Sequence, residues 1–167
     1  MLTAKDRAAA ATAAIAAAVA VAAPLTESFE GYSARVYRDP GGVPTYCYGE
    51  TKDPDPMRIY ARDECAVKMR QRMARDFGPP LARCVPGFIE PRRRKAFGAA
   101  IDAAYNAGPA SVCRSPMAQA FRAGRWAQGC AAFRGWYVTQ RIRGVPTRLR
   151  GLVRRRNMEA MLCAGAL

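Results

Sequence analysis

Residues 8–23 read AAAATAAIAAAVAVAA and carry no charge. Alanine loses least of any residue on entering a helix, so the run is expected to be helical. Three placements fit it. It is a cleavable signal peptide, since the AVA at Ala20–Ala22 resembles a small-residue cleavage site. It is a buried alanine-rich helix of a folded core. Or it is an uncleaved, weakly held membrane segment. A committed transmembrane helix uses about 20 clearly apolar residues, and this run is shorter and mostly alanine. Ile15, Val19 and Val21 contribute about −0.3 to −0.6 kcal/mol each to insertion, about −1 to −2 kcal/mol together. A segment that weak can be inserted by export machinery and still leave the bilayer later. Lys5 and Arg7 precede it and hold the N-terminus on the cytoplasmic side, so the bulk of the chain is expected to be exported.

Export changes how the six cysteines are read. Cys47, Cys65, Cys84, Cys113, Cys130 and Cys163 fit no CxxC metal pattern. In an oxidising compartment an even set of this kind forms three disulfides, for which fifteen pairings exist. With 167 residues the chain is long enough for one domain with a real core. Its 27 Lys and Arg against 13 Asp and Glu give a net charge of +14, a surface that seeks a polyanion or an anionic envelope. There is no histidine, which excludes Ser-His-Asp and Cys-His catalysis and most catalytic zinc sites. Proton transfer in such an enzyme falls to carboxylates, hydroxyls or lysine, and neither a metal nor a cofactor is expected.

The pattern from Leu25 to Tyr32 continues the alanine helix, with Gly31 near its end. Arg35–Arg38 alternates as a strand does. DPGGVP from Asp39 to Pro44 has turn chemistry, with Pro40 fixing φ and Gly41-Gly42 free to take φ > 0. Val43–Tyr48 is the return strand. Cys65, Met69, Met73 and Phe77 recur every four residues along a helix that Gly78-Pro79-Pro80 is expected to end. A second helix covers Glu90–Ala107, with Phe97, Ile101, Ala104 and Tyr105 on one face. Short helices follow at Pro116–Arg122 and Arg125–Phe133, and a last one at Pro146–Cys163 with Leu149, Leu152, Val153, Ala160 and Cys163 as its apolar face. The expected architecture is α+β and predominantly helical, with one small hairpin near the start of a helical body.

Glu30 and Asp39 flank the first strand. Glycoside hydrolysis uses two carboxyl groups in different environments: one stays protonated and donates to the leaving oxygen, the other is ionised and activates water. Glu30, at a helix end beside Phe29, is expected to be partly buried, and Asp39, opening a glycine turn, to be solvated. Thr45 returns on the facing strand, where its hydroxyl would help orient the water. Taken alone, these residues equally suit a solvated helix end and a turn aspartate.

Four stretches in order remove that ambiguity. Glu30, Asp39 and Thr45 form E-x8-D-x5-T; TYCYGET covers Thr45–Thr51; AAYNAG covers Ala103–Gly108; RGLVRRRNMEAMLC covers Arg150–Cys163. Together they resemble the phage-type lysozymes, glycoside hydrolase family 24, over nearly everything from Leu25 to Cys163. The resemblance implies a lysozyme-like fold, a hairpin lobe beside a helical lobe. It implies that Glu30 is the general acid, that Asp39 helped by Thr45 positions the attacking water, and that the reaction inverts the anomeric carbon. The implied substrate is the β-1,4 bond between N-acetylmuramic acid and N-acetylglucosamine in peptidoglycan. Asn106 is expected either to position part of the cleft or to cap its helix beside Gly108, and one of Arg154–Arg156 to pair with Glu30. Glu50 stands where many relatives have histidine, an extra carboxylate that would shift the pH optimum. Disulfides Cys47–Cys65, Cys84–Cys113 and Cys130–Cys163 are implied by the same family placement, each worth about 3 kcal/mol.

The N-terminus resembles the signal-anchor-release segment of some phage endolysins. Residues 1–24 are then the anchor and 25–167 the catalytic domain, first held at the host inner membrane with the N-terminus cytoplasmic, then periplasmic. Glu30 lies seven residues past Ala23, about 10 Å along a helix, so an inserted anchor pins it near the headgroups. The anchor holds no cysteine, so activation is expected to be topological. The implied role is host lysis by a monomer with peptidoglycan as partner, transient inner-membrane association and contact with anionic outer-membrane lipid. The competing reading is a non-catalytic basic envelope- or nucleic-acid-binding protein, with Pro91–Lys95 (PRRRK) and Arg154–Arg156 on phosphates. Against it, those residues sit on helices with apolar faces, which reads more simply as solvated surface, and an exported protein meets little nucleic acid.

Overall fold

A computed structural model describes residues 3–39, 41–142 and 144–167. The alanine run forms part of one long helix, α1 (Ala4–Glu30, 27 residues). Thr3 caps it: its hydroxyl accepts from Asp6 N and its own N–H donates to Asp6 Oδ2, a capping box. The helix runs through Pro24 and ends where Gly31 takes φ 70°. Residues 24 and 25, where the sequence reading divides anchor from enzyme, therefore lie within a continuous helix. Its inner stripe of Ile15, Ala18, Val19, Ala22, Leu25 and Thr26 is buried, while Ala10, Ala13 and Ala17 stay exposed. Length and composition suffice for this helix to cross a membrane.

The chain then turns into strands β1 (Ser33–Arg38) and β2 (Pro44–Cys47), antiparallel, with Tyr37 opposite Thr45 and an irregularity before Ser33 meets Cys47. Pro40, assigned to the turn from sequence, lies outside the described residues. Helix α2 (Arg62–Arg72) passes through one π-turn, Met73–Phe77, straight into α3 (Gly78–Cys84). The stop expected at Gly78-Pro79-Pro80 is thus a change of helix. The prolines occupy the first turn of α3, where a missing N–H costs little, and the π-turn absorbs the offset.

Two 3₁₀ turns lead to α4 (Arg94–Ala107), buried without a break from Ala96 to Ala104. It is the central helix, wrapped on all sides rather than presenting the single apolar face its sequence suggests. α1 packs along it at Gly98. A Cβ on Gly98 would stand 2.5 Å from Val21 Cγ2 and 3.0 Å from Ala18 O, so the missing side chain is what lets the backbones approach. Helices α5 (Pro109–Cys113), α6 (Pro116–Arg122) and α7 (Trp126–Ala132) complete the far side, around a cluster in which Phe88 and Phe97 stack with centroids 4.9 Å apart.

A second hairpin, β3 (Thr139–Ile142) with β4 (Val145–Arg148), precedes α8 (Arg150–Ala164). The sequence reading has one hairpin and starts the last helix at Pro146. Every residue of β3 is exposed, so no apolar alternation betrays it. The buried face of α8 also differs from expectation: Arg155, Arg156 and Glu159 are buried with Ala160, Leu162 and Cys163, while Leu152 and Val153 are half-buried. Arg154 alone of the triple arginine is exposed. Disulfides Cys47–Cys65, Cys84–Cys113 and Cys130–Cys163 tie β2 to α2, α3 to α5 and α7 to α8. These are the pairs the family resemblance implies.

Candidate active site

Glu30 is the last residue of α1, Asp39 follows β1, and Thr45 lies in β2. One helix end and one hairpin thus supply all three residues singled out for catalysis. The loop after β2 approaches Glu30 with bare backbone: a Cβ on Gly49, which has φ 82°, would lie 3.8 Å from Glu30 Oε2.

Asp39 closes its own turn. Its Oδ1 accepts from Gly41 N at 2.9 Å and Val43 N at 2.8 Å, an Asx-type turn. Oδ2 has no hydrogen-bond partner among the described residues. Thr45, 4% exposed, donates its hydroxyl to Val43 O at 2.9 Å, leaving its lone pairs to accept. Neither side chain hydrogen-bonds Glu30.

Glu30 is held from the other side. Arg155 Nη1 donates to Glu30 Oε1 at 2.5 Å. The same guanidinium grips Asp102 with two nitrogens, Nε to Oδ2 and Nη2 to Oδ1, both at 3.0 Å. Thr26 donates its hydroxyl to Asp102 Oδ1 at 2.5 Å. Beside it, Arg156 Nη2 lies 2.9 Å from Glu159 Oε1 and donates to Asn106 Oδ1 at 3.0 Å. Asp102, Arg156 and Glu159 are fully buried, and Arg155 nearly so.

Three carboxyls face two guanidiniums in this network, so full ionisation would leave excess negative charge at a buried site, which favours protonated carboxyls there. Burial raises Glu159 well above the usual carboxyl range, and Asp102 adds to the shift against the pull of Arg156. Glu159 is thereby biased toward its protonated form. Burial also raises Glu30, opposed by Arg155; its side chain is 22% exposed, enough to meet a substrate. Asp102 shares the charge of Arg155 and so loosens its hold on ionised Glu30.

The arginine partner of Glu30, left open among three by the sequence, is Arg155. Asn106 is engaged by Arg156, and the cap of α4 falls to Gly108, whose N–H donates to Ala104 O. Glu50 is drawn into its own loop, accepting from Thr51 N at 2.9 Å and Lys52 N at 3.0 Å. The sequence reading missed Thr26, Asp102 and Glu159. Asp102 had a signal: an acid between Ile101 and Ala103, inside a helix with almost no polar residue, must find a cation.

The phage lysozyme family model matches residues 27–159. A curated relative, the SAR-endolysin of Pseudomonas phage phiKMV, is 32% identical over 151 residues, 88% of each chain. Among solved structures, the muramidase domain of SpmX from Asticaccaulis excentricus superposes with TM-score 0.70 at 22% identity, over 85% of this chain and 93% of that one. The active form of the P1 phage endolysin Lyz gives TM-score 0.64 at 25% identity, over 86% and 83%. The family match opens just before Glu30 and closes on Glu159, so it encloses both ends of the buried charge network, and the chain belongs to the phage lysozyme family.

Proposed function

We propose that this chain is a phage endolysin that hydrolyses the β-1,4 bond between N-acetylmuramic acid and N-acetylglucosamine in peptidoglycan. The observation that carries this reading is a single glutamate, Glu30, raised by burial yet partly open to solvent, at the mouth of a buried ion-pair network. Its proton goes to the glycosidic oxygen as the bond to the anomeric carbon breaks. Asp39 Oδ2 accepts a proton from the water that attacks the opposite face, and Thr45 Oγ accepts the water's second hydrogen bond. Two carboxyls with separate duties and a water between them invert the anomeric centre. Asp39 Oδ1 is already committed to two backbone N–H groups, which fixes the direction of Oδ2. Arg155 orients Glu30 and, being shared with Asp102, leaves its proton in place.

The relative's name supports an anchor that is later released. Residues 1–24 would hold the chain at the outer side of the inner membrane with the N-terminus cytoplasmic. After release, α1 docks on α4 along Gly98, and the enzyme acts in the periplasm as a monomer. Docking places the C-terminal end of α1, and with it Glu30, against Arg155.

The test is release of soluble fragments from purified peptidoglycan by the folded, oxidised chain and by Glu30→Gln. New N-acetylmuramic acid reducing ends from the native chain, with a loss of about 10²–10⁴-fold in Glu30→Gln, are expected. Equal rates would remove Glu30 from the chemistry.

A further inference from the structure

We propose that the folded chain carries a binding site for one anionic phospholipid molecule, on a face separate from the Glu30 network. The site is a composite of two adjoining cavities that share Pro91 and Arg94. One, of about 730 Å³, is lined by Arg92, Arg93, Arg94, Lys95 and Arg134, with Trp126 as an aromatic wall. The other, of about 380 Å³, lies against α1 and is lined by Ala10, Ala13 and Ala17 of that helix and by Phe88, Ile89 and Pro91, with one acid, Glu90, whose carboxylate is paired with Arg92. The cationic basin and the mainly apolar trough adjoin at Pro91 and Arg94, which line both.

The occupant follows from charge and shape. Among the described residues no acidic side chain lines the basin. Glu90 engages Arg92 at 2.7 Å and stands 4.0 Å from Arg93, and Lys95 Nζ is held by Leu167 O at 2.6 Å. Arg94 and Arg134, both exposed, have no carboxylate within ion-pair distance among the described residues. Arg93 stacks on Trp126, its guanidinium carbon 4.1 Å from the ring centroid, which fixes that wall. A guanidinium pair with no counter-charge takes a phosphate oxygen pair. A sugar polymer or nucleic acid gives the adjoining trough nothing to bury, whereas an acyl chain fills it. The same trough is walled by the membrane-capable helix, so the site exists only once α1 is docked. The proposal does not rest on the catalytic assignment.

The experiment uses the full, oxidised chain and monomeric dihexanoyl-phosphatidylglycerol below its micelle concentration, which keeps bilayer insertion of α1 out of the measurement. Binding is read from amide shifts in NMR titrations. Saturable shifts centred on Ala13, Ile89 and Arg94 are expected. Dihexanoyl-phosphatidylcholine and glycerol 3-phosphate should each bind at least about tenfold more weakly, since each lacks one half of the match. Arg94→Glu and Arg134→Glu should lose about tenfold or more while keeping muramidase activity and thermal midpoint. Undiminished binding in both variants overturns the site. Glycerol 3-phosphate binding as tightly as the lipid overturns the lipid and leaves a phosphate site. A short single-stranded oligonucleotide that displaces the lipid at equal concentration overturns it in favour of nucleic acid.

Discussion

Arg155 spends two nitrogens on Asp102, at 3.0 Å each, and the third on Glu30, at 2.5 Å. Because one guanidinium serves both acids, the charge on Asp102 feeds into the pKa of Glu30, which it raises. Asp102→Asn removes that charge and leaves Arg155 with Glu30 as its nearest carboxylate. Ionised Glu30 is then favoured, so its pKa falls. A general acid works below its pKa, so the alkaline limb of the kcat profile should move to lower pH. A pH–rate profile on peptidoglycan checks this; an unmoved limb with an intact fold would uncouple the two acids. The amide still accepts from Thr26 or Arg155, so the stability loss should stay near the value of one charged hydrogen bond, about 1.5–3 kcal/mol.

Glu159 makes a pH prediction of opposite kind, read in stability. Its carboxyl is raised in the folded chain, mainly by burial, so folding favours the protonated form. That contribution is fully present below the unfolded carboxyl pKa and is lost as pH rises through the folded value. The native chain should therefore lose stability from mildly acid pH upward, and Glu159→Gln, a fixed mimic of the neutral acid, should flatten that slope. Urea midpoints from pH 4 to 8 check it. Arg156→Ala should cost more, about 1–3 kcal/mol for each buried acceptor it leaves unpartnered, Asn106 Oδ1 and the Glu159 carboxyl.

The hairpin carrying Asp39 and Thr45 is anchored to the body by Cys47–Cys65, and among the described residues β1 and β2 form a two-stranded sheet. A lone two-stranded ribbon is marginal in water. The double variant Cys47→Ser/Cys65→Ser should cost about 3 kcal/mol by the loop-closure argument and lower kcat by more than Cys130→Ser/Cys163→Ser, which ties helices distant from the hairpin. Comparing activity of the two at a temperature where both are folded separates positioning from stability.

What the sequence made legible follows from how local each signal is. The hairpin was visible because its turn residues and strands are contiguous, and α1 because an unbroken alanine run is a short-range feature. Glu30 and Asp39 were singled out only through the family resemblance that their spacing, with three other stretches, carries. The network behind them was not, because its members come from α1, α4 and α8, and nothing local tells that Arg155 and Arg156 point inward while Arg154 points out. A run of arginines on a helix reads as solvated surface until Asp102 and Glu159 are known to be buried opposite it. β3–β4 escaped because its exposed residues carry no alternation, and α3 because a Gly-Pro-Pro stop signal also suits a first helical turn.

Gly98 tests whether docking of α1 is what switches the enzyme on. In the folded chain a Cβ at this position meets Val21 Cγ2 at 2.5 Å and the backbone oxygen of Ala18 at 3.0 Å. The first contact can yield by a side-chain shift, but the second cannot move without lifting α1. Gly98→Val should therefore cost about 1–3 kcal/mol of overpacking in the docked state and nothing in the membrane-held state, where α1 is away from α4. The equilibrium shifts toward the tether. In cells, more of the chain should stay in the membrane fraction and lysis should be delayed. Val21→Ala in the same chain should restore part of the release, because it relieves the closer contact only. Gly151, with nothing within 4 Å of an added Cβ, supplies the control: Gly151→Ala should leave partitioning and lysis time unchanged. Fractionation of Gly98→Val in the native ratio would show that α1 leaves the bilayer without needing its seat on α4.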